Sequence, residues 1–304
     1  MRRLEATRLG AFALILSSVL WGTTGTAASF LPADVSPLAI GASTMAAGGI
    51  LLFLVSARPA VAAIRDPAAR SWLLLGAVGV FVYPLAFYTG MAEAGVAVGN
   101  VVALGSGPVF AAVFEWLWER RGLSVRWLVA TAIALLGIVL LSFSRHSDGS
   151  PEEGDALTGV LFALLAGVSY ALYSYASSRA IRVGHSGRGV MGGMFGLGAV
   201  PLLPVLLLLG APLLQSAETV AIAAYLAVGP MFVAYLLFGY GLTRLRSSVA
   251  TSVTLVEPLV ATVLAVAVVG ERLQPTGWLG LALILAGITV LITARQPRGT
   301  VAAF

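Results

Sequence analysis

Glu257 is an acid in the middle of a long apolar segment, where an ionisable group is normally functional or paired. A carboxylate at this position could bind the ammonium group of a ligand or carry a proton. It also precedes Pro258, whose missing N–H disturbs a helix, so a protonated Glu257 could instead hydrogen-bond a freed backbone carbonyl. A second acid, Glu115, lies about one turn from the end of its own segment, from which it can reach the interface or Arg120.

Aromatic and polar side chains also lie deep within apolar segments, away from the segment ends where Trp and Tyr usually collect. They are candidates for the walls of an internal cavity, and ordinary helix packing is the alternative for any single one. The candidate cavity residues are Trp21, Tyr83, Tyr88, Asn100, Ser106, Tyr170, Tyr173, Tyr235 and Glu257. No arginine lies at depth within a segment, so the pattern favours neutral or zwitterionic solutes over polyanions.

Prolines and glycines recur inside the apolar segments, where each proline can break or kink a helix and free backbone polar groups. The alternative role of the glycines is close helix packing through small residues. The candidate hinge positions are Pro84, Gly105, Gly107, Pro108, Pro230 and Pro258.

Signatures of catalysis are lacking in the sequence. Cysteine is absent, and His146 and His185 fall on opposite sides of the predicted membrane, so no metal site is predicted. The chain has neither a G-x-S-x-G elbow nor a phosphate-binding loop. We therefore expect no catalytic residue and no cofactor, and a membrane-embedded enzyme is the disfavoured alternative from a different functional class. The basic residues form short clusters rather than one patch, so no nucleic-acid partner is expected.

The elements that position these residues are transmembrane helices. Hydrophobic residues make up 59% of the chain and charged residues 10%, whereas a soluble protein carries roughly 25% charge. A helix that spans the bilayer needs about 20 mostly apolar residues. The sequence predicts ten such segments, near 10–30, 37–57, 71–91, 97–118, 125–144, 157–178, 189–209, 219–241, 248–270 and 275–294.

The arginines predict the orientation of these segments. All 18 basic residues are arginines, and 16 of them fall on one side of the predicted helices. Only Arg145 and Arg272 fall on the other side. Positive residues stay in the cytoplasm, so both termini are expected there.

The two halves of the chain repeat one another. The run FVYPLAFYTG from Phe81 matches FVAYLLFGYG from Phe232, Pro108 matches Pro258, and Gly137 matches Gly287. Because each repeat holds five helices, an odd number, the second must be inverted relative to the first. The expected fold is an all-α integral membrane protein with a first repeat over 1–146, a periplasmic loop over 147–156 and a second repeat over 157–304.

Three short motifs resemble the drug/metabolite transporter superfamily, and more narrowly its ten-helix EamA type. They are Trp21-Gly22-Thr23, the segment from Pro108 to Glu119-Arg120, and Glu257-Pro258 followed by Gly270-Glu271-Arg272. Trp118 departs from the commoner pattern, in which Gly precedes the Glu-Arg pair. The resemblance covers nearly the whole chain, and the branch it suggests is that of the YddG-like exporters of aromatic and other neutral amino acids.

The resemblance implies export from the bacterial cytoplasm across the inner membrane, through a central cavity shared by both halves. We expect alternating access, with a small-molecule substrate and the lipid bilayer as partners, and a complete pathway within a monomer. The alternative within transport is a broad-range drug or metabolite exporter, with proton coupling if Glu257 carries a proton.

Overall fold

The computed structural model describes residues 2–32, 34–94, 96–120, 124–143, 156–269 and 274–293, and within these ranges all regular structure is helical. The predicted loop over 147–156 lies outside the described residues, apart from Ala156. Arg145, His146 and the motif Gly270-Glu271-Arg272 also lie outside the described residues. The α-helices are α1 Arg2–Gly22, α2 Thr24–Ala28, α3 Pro37–Val55, α4 Ala57–Arg65, α5 Pro67–Ala94, α6 Val96–Glu119, α7 Val125–Phe143, α8 Ala156–Arg182, α9 Gly187–Leu209, α10 Ala217–Leu226, α11 Ala234–Leu242, α12 Ser247–Val253, α13 Val256–Leu264 and α14 Pro275–Thr293. A 3-10 helix forms Ala211–Leu214, and π-helix forms Ala227–Val233 and Ala265–Val269.

Seven helical segments of the described chain are long and apolar enough to cross a membrane. They are Ala6–Ala28, Pro37–Val55, Pro67–Met91, Leu157–Arg182, Gly187–Leu209, Ala217–Leu242 and Ser247–Val268. Two shorter apolar segments, Val125–Leu140 and Pro275–Val290, and the helix α6 coincide with the other three predicted spans. The all-helical membrane fold is therefore confirmed, and the count of ten spans stays a prediction.

Proline interrupts two of the predicted spans and leaves three others, which contain α5, α6 and α9, as continuous helices. Pro230 lies within the π-helix between α10 and α11, where the wider turn accommodates its ring. Pro258 would clash with the Thr254 carbonyl in a regular helix. The chain breaks there between α12 and α13, and the Glu257 N–H donates to Thr254 O at 2.9 Å. Pro84 and Pro108 lie inside the unbroken helices α5 and α6.

Helices from the two halves of the sequence pack against one another in reciprocal pairs. At the crossing of α7 and α14, a Cβ on Gly137 would lie 2.5 Å from the Gly280 carbonyl oxygen, and a Cβ on Gly287 would lie 2.6 Å from the Ala130 carbonyl oxygen. Gly287 and Gly280 follow Gly137 and Ala130 by the same 150 residues. The contact thus repeats itself under exchange of the halves, as across a pseudo-two-fold axis.

The core lies where α1, α3, α5, α8, α9 and α11 meet, and aromatic side chains dominate it. Tyr173, Phe195 and Phe238 are almost fully buried there. Gly79 permits the close approach of α5 and α8, since a Cβ on it would lie 2.7 Å from the Ser169 carbonyl oxygen. This core forms the rigid floor of the cavity described next.

Candidate functional site

A cavity with a volume of about 380 Å³ lies between α1, α3, α5, α6, α8, the π-helix Ala227–Val233, α11 and α13. Its walls are mostly apolar and aromatic, as is usual for small-molecule sites. Eight of the nine candidate cavity residues line it, namely Trp21, Tyr83, Tyr88, Asn100, Tyr170, Tyr173, Tyr235 and Glu257. The structure thus brings together residues that are scattered from the first helix to the last quarter of the chain.

Ser106 and most of the hinge candidates lie outside this cavity wall. Ser106 packs where α6 crosses α8, so closely that a Cβ on Gly167 would overlap its hydroxyl. A Cβ on Gly107 would lie 2.8 Å from the Tyr170 ring, so this glycine allows the ring to pack on α6. Pro84 and Pro230 line the cavity. Gly105, Pro108 and Pro258 are not part of its wall.

Hydrogen-bonded tyrosines form the floor of the cavity. The hydroxyls of Tyr173 and Tyr235 lie 2.8 Å apart, and that of Tyr170 lies 2.7 Å from the Thr254 hydroxyl. The Tyr235 ring also packs against Phe195, with centroids 4.3 Å apart. Because each of these hydroxyls already has a partner, the tyrosines present mainly ring surface to a ligand, and the Tyr173–Tyr235 pair retains one O–H that is not used between them.

The cavity wall formed by α5, α6 and α13 carries polar groups that remain available for hydrogen bonds to a ligand. Tyr83 stacks on Phe87, with ring centroids 5.5 Å apart and planes at 18°, and Tyr88 packs edge-on against Phe87. Within the described chain, no hydrogen-bond partner is seen for the hydroxyls of Tyr83 and Tyr88, for the Asn100 amide or for the Glu257 carboxylate. These four side chains, together with the Trp21 indole N–H, which is buried without a partner among the described residues, can orient a bound solute.

Glu257 stands in the first turn of α13, directly after the break that Pro258 imposes. Helix α1 approaches this turn closely because Gly22 lacks a side chain: a Cβ there would lie 2.7 Å from Val260 Cβ and 3.0 Å from the Glu257 carbonyl oxygen. Glu257 is the only acidic or basic residue among those that line the cavity, which otherwise contain no Asp, Glu, Lys, Arg or His. The cavity therefore holds a single carboxylate in an aromatic surrounding.

The opposite end of the helix bundle is closed by a buried acid, Glu115 of α6. Its side chain is 0% exposed and forms an ion pair with the Arg246 guanidinium. The hydroxyls of Ser247 and Ser248 donate to its carboxylate at 2.9 and 2.8 Å, and the Ser248 N–H donates at 3.0 Å. We call Glu115, Arg246, Ser247 and Ser248 the latch, because they join α6 to the start of α12.

Two further charged clusters lie at the latched end. Glu119 is 5% exposed, pairs with Arg182 and lies 3.6 Å from Arg179. His185 Nε2 lies 2.7 Å from Asp66 Oδ2. The hydrogen bond from His185, helped by one from the Ala68 N–H, lowers the pKa of Asp66 below its ordinary value of 3.8.

Sequence reasoning missed this latched end. The sequence predicted that the Glu115 side chain reaches the membrane interface or Arg120, whereas in the structure Glu115 forms an ion pair with Arg246. It also treated Arg179, Arg182 and Arg246 only as markers of orientation. The sequence does show that Glu115 and Glu119 lie near the same end of one apolar helix. Two acids at such a position need cationic partners, which points to arginines on neighbouring helices.

The EamA-like transporter family matches the chain twice, over residues 8–143 and again over 157–293. The chain belongs to the EamA-like transporter family. An uncharacterized transporter of Bacillus subtilis (strain 168), YwfM, is 34% identical over 291 residues, which are 94% of this chain and 95% of that protein. The uncharacterized inner membrane transporter YedA of Escherichia coli (strain K12) is 28% identical over 288 residues, which are 92% and 89% of the two chains.

A solved structure, described only as the crystal structure of a protein, shares the fold of this EamA-family member. The TM-score is 0.77, with 24% sequence identity over 94% of this chain and 96% of the other. Family membership confirms the resemblance to the EamA type and the prediction of a multi-pass membrane transporter. It also agrees with the expectation that the chain is not an enzyme.

Proposed function

We propose that this EamA-family transporter exports small neutral or zwitterionic metabolites, with aromatic amino acids as its principal substrates. The proposal rests on the lining of the cavity, where aromatic rings surround a single carboxylate and no arginine, lysine or histidine is present. Phosphorylated or otherwise polyanionic solutes would require cationic partners at such a site. An aromatic amino acid can place its ring against the tyrosines and its polar groups on Glu257, Asn100 and the free hydroxyls.

The architecture that we propose is ten transmembrane helices in two inverted five-helix repeats, over 1–146 and 157–304. The two matches to the family and the reciprocal contacts of Gly137 and Gly287 support it. With the orientation given by the arginines, both termini and the latched end face the cytoplasm, and the loop over 147–156 faces the periplasm. The membrane would then be the bacterial inner membrane, and one chain would form a complete pathway.

The mechanism that follows is alternating access, because inverted repeats can exchange their conformations. The cavity is lined by the ends of α1 and α5 and by the beginnings of α3 and α6, so in this orientation it opens to the periplasm. Opening to the cytoplasm requires α6 and α12 to part at the latch. The breaks at Pro230 and Pro258 are the positions where helices can bend without loss of regular hydrogen bonds.

Uptake by proteoliposomes that contain the purified protein tests the proposal. We expect phenylalanine, tyrosine and tryptophan to equilibrate faster than in protein-free liposomes, and arginine and glutamate to move no faster. Repeating the assay with and without a pH gradient separates facilitated diffusion from proton exchange. Lack of movement for every aromatic amino acid would contradict the proposal.

A second candidate function is the export of amphipathic drugs. A lateral groove with a volume of about 510 Å³, lined by Phe30, Tyr225 and Leu264, lies beside the cavity, and Thr26 lines both. The groove faces away from the helix bundle, so it could admit a solute from the bilayer. Transport of a cationic dye without any transport of amino acids would favour this candidate.

A further inference from the structure

The charges around the cavity are unequally distributed. Glu257 faces the cavity without a cationic partner among the described residues. Arg246 and Arg182, at the latched end, are paired with Glu115 and Glu119. A bound ammonium group therefore finds a carboxyl group that can release its proton and pair with it, whereas a bound carboxylate finds only neutral donors. Because a charge removed from water without a counter-charge is costly, the cavity discriminates between these two groups.

The aromatic rings act in the same direction as the carboxylate. Trp21, Tyr83, Phe87 and Tyr88 line the cavity together with Glu257. The faces of such rings carry partial negative charge and attract an ammonium group, most strongly where water is excluded. Neither feature attracts a carboxylate.

The affinities of different ligands should follow the number of charges that each leaves unpaired in the occupied cavity. An amine that lacks a carboxylate neutralises Glu257 and leaves no charge unpaired. A zwitterionic amino acid also pairs its ammonium group, but its carboxylate must rely on the Asn100 amide and on the hydroxyls of Tyr83 and Tyr88. An N-acylated ligand leaves Glu257 itself buried and unpaired.

We propose that Glu257 is the recognition group for the ammonium of the substrate, and that aromatic primary amines without a carboxylate are bound at least as tightly as the corresponding amino acids. This inference rests on the proposed function, since it assigns the substrate class of the same cavity. It adds a class that the amino-acid proposal does not contain. It also makes the carboxylate of an amino-acid substrate dispensable for recognition.

Four compounds that differ in their charged groups test the inference, and an N-acetyl group removes the ammonium charge in two of them. Phenethylamine has the amine alone, phenylalanine has both groups, N-acetylphenethylamine has neither, and N-acetylphenylalanine has the carboxylate alone. We expect the wild-type protein in detergent to bind phenethylamine at least about 10-fold more tightly than N-acetylphenethylamine, because only the ammonium group can pair with the buried Glu257 carboxyl group. Phenylalanine should bind no more tightly than phenethylamine.

The Glu257→Gln variant keeps the size of the side chain and removes its charge. We expect the preference for phenethylamine over N-acetylphenethylamine to fall to within about 3-fold, since the isosteric amide cannot neutralise an ammonium group. Glu218→Gln is the matched control, because Glu218 lines the lateral groove and not the cavity. Its preference should equal that of the wild type.

The outcomes separate the two proposals. If the wild type binds N-acetylphenethylamine as tightly as phenethylamine, the inference is overturned, and this comparison requires no variant to fold. If phenylalanine binds and is transported while phenethylamine is not, the amino-acid proposal stands and the inference falls. If the wild type neither binds nor transports any of the four compounds, the proposed function fails together with the inference.

Discussion

Removal of the Glu115 carboxylate should open the latched end of the transporter. In the Glu115→Ala variant, the Arg246 guanidinium loses its counter-ion, and the donors of Ser247 and Ser248 lose their acceptor. The buried Ser247 and Ser248 donors, and the buried part of the Arg246 guanidinium, can be hydrated only if α6 and α12 separate. The substitution therefore raises the free energy of the closed conformation more than that of a conformation open at the latched end.

The size of the shift follows from the burial of the two partners. Removing one partner of a fully buried ion pair costs about 3–5 kcal/mol. Here Glu115 is fully buried but the Arg246 side chain is 29% exposed, so part of its charge stays hydrated. We therefore expect a cost of about 2–3 kcal/mol, which changes the ratio of open to closed molecules by about 30- to 150-fold. Glu115→Gln retains an acceptor for the Ser248 N–H, so its effect should be about 5- to 10-fold.

Reaction of a single introduced thiol measures this ratio. The chain has no cysteine, so Ala111→Cys provides a unique thiol in an otherwise unreactive protein. Ala111 is 0% exposed and lies one helical turn before Glu115 on the same face of α6. Its reaction rate with a charged thiol reagent is proportional to the open fraction when opening and closing are fast. We expect the Glu115→Ala background to accelerate the reaction by the factors given above.

Val183→Cys provides the control for this measurement. Val183 lies in the exposed turn after α8, so its thiol should react at the same rate with and without Glu115. If the thiol at position 111 reacts within about 3-fold of its original rate in the Glu115→Ala background, the latch does not hold the closed conformation and the reasoning is refuted. Size-exclusion profiles and the Tm of each variant show whether the fold is retained.

Three further predictions concern packing and charge. Gly137→Ala and Gly287→Ala should each lower the free energy of unfolding by about 1–3 kcal/mol, because each added Cβ would meet a backbone carbonyl of the partner helix. The two losses should be similar, and thermal unfolding in detergent measures both. Because the pKa of Asp66 is lowered by His185, the contact stabilises the fold above the ordinary Asp pKa and is lost as the pH falls through the lower folded value. The Tm difference between wild type and Asp66→Asn should therefore begin to shrink as the pH falls below about 4 and should disappear only below the lowered pKa of the folded state. Glu119→Gln should change the labelling rate at position 111 by less than about 5-fold, because the arginines that pair with Glu119 are about one-third exposed and become hydrated.

Much of the cavity could be predicted from the sequence because the bilayer leaves few options for polar groups. A tyrosine, an asparagine or an acid deep within an apolar span must face protein or a solvated cavity. This constraint gave the eight residues that line the cavity. It could not distinguish Ser106, whose hydroxyl is small enough to lie in a helix crossing with Gly167.

Partners and helix breaks were harder to predict, because they depend on how helices from the two halves meet. Arg246 lies far from Glu115 along the chain, and no local pattern connects them. Likewise, Pro108 and Pro258 occupy equivalent positions in the repeat, yet only Pro258 separates two helices. The sequence shows which backbone carbonyl a proline disturbs, but neighbouring helices decide whether the helix continues.

The latch also shows that the two halves are not equivalent in energy. Residues 150 positions from Glu115 and Arg246 are Ala265 and Val96, so the repeat carries the ion pair at one end only. In the proposed inverted arrangement, an alanine and a valine hold the equivalent positions at the periplasmic end, so no ion pair of this kind can form between them. Release of the latch must therefore be compensated by binding of substrate or by packing elsewhere. The unliganded transporter should accordingly favour the conformation closed to the cytoplasm, because only that conformation contains the buried ion pair.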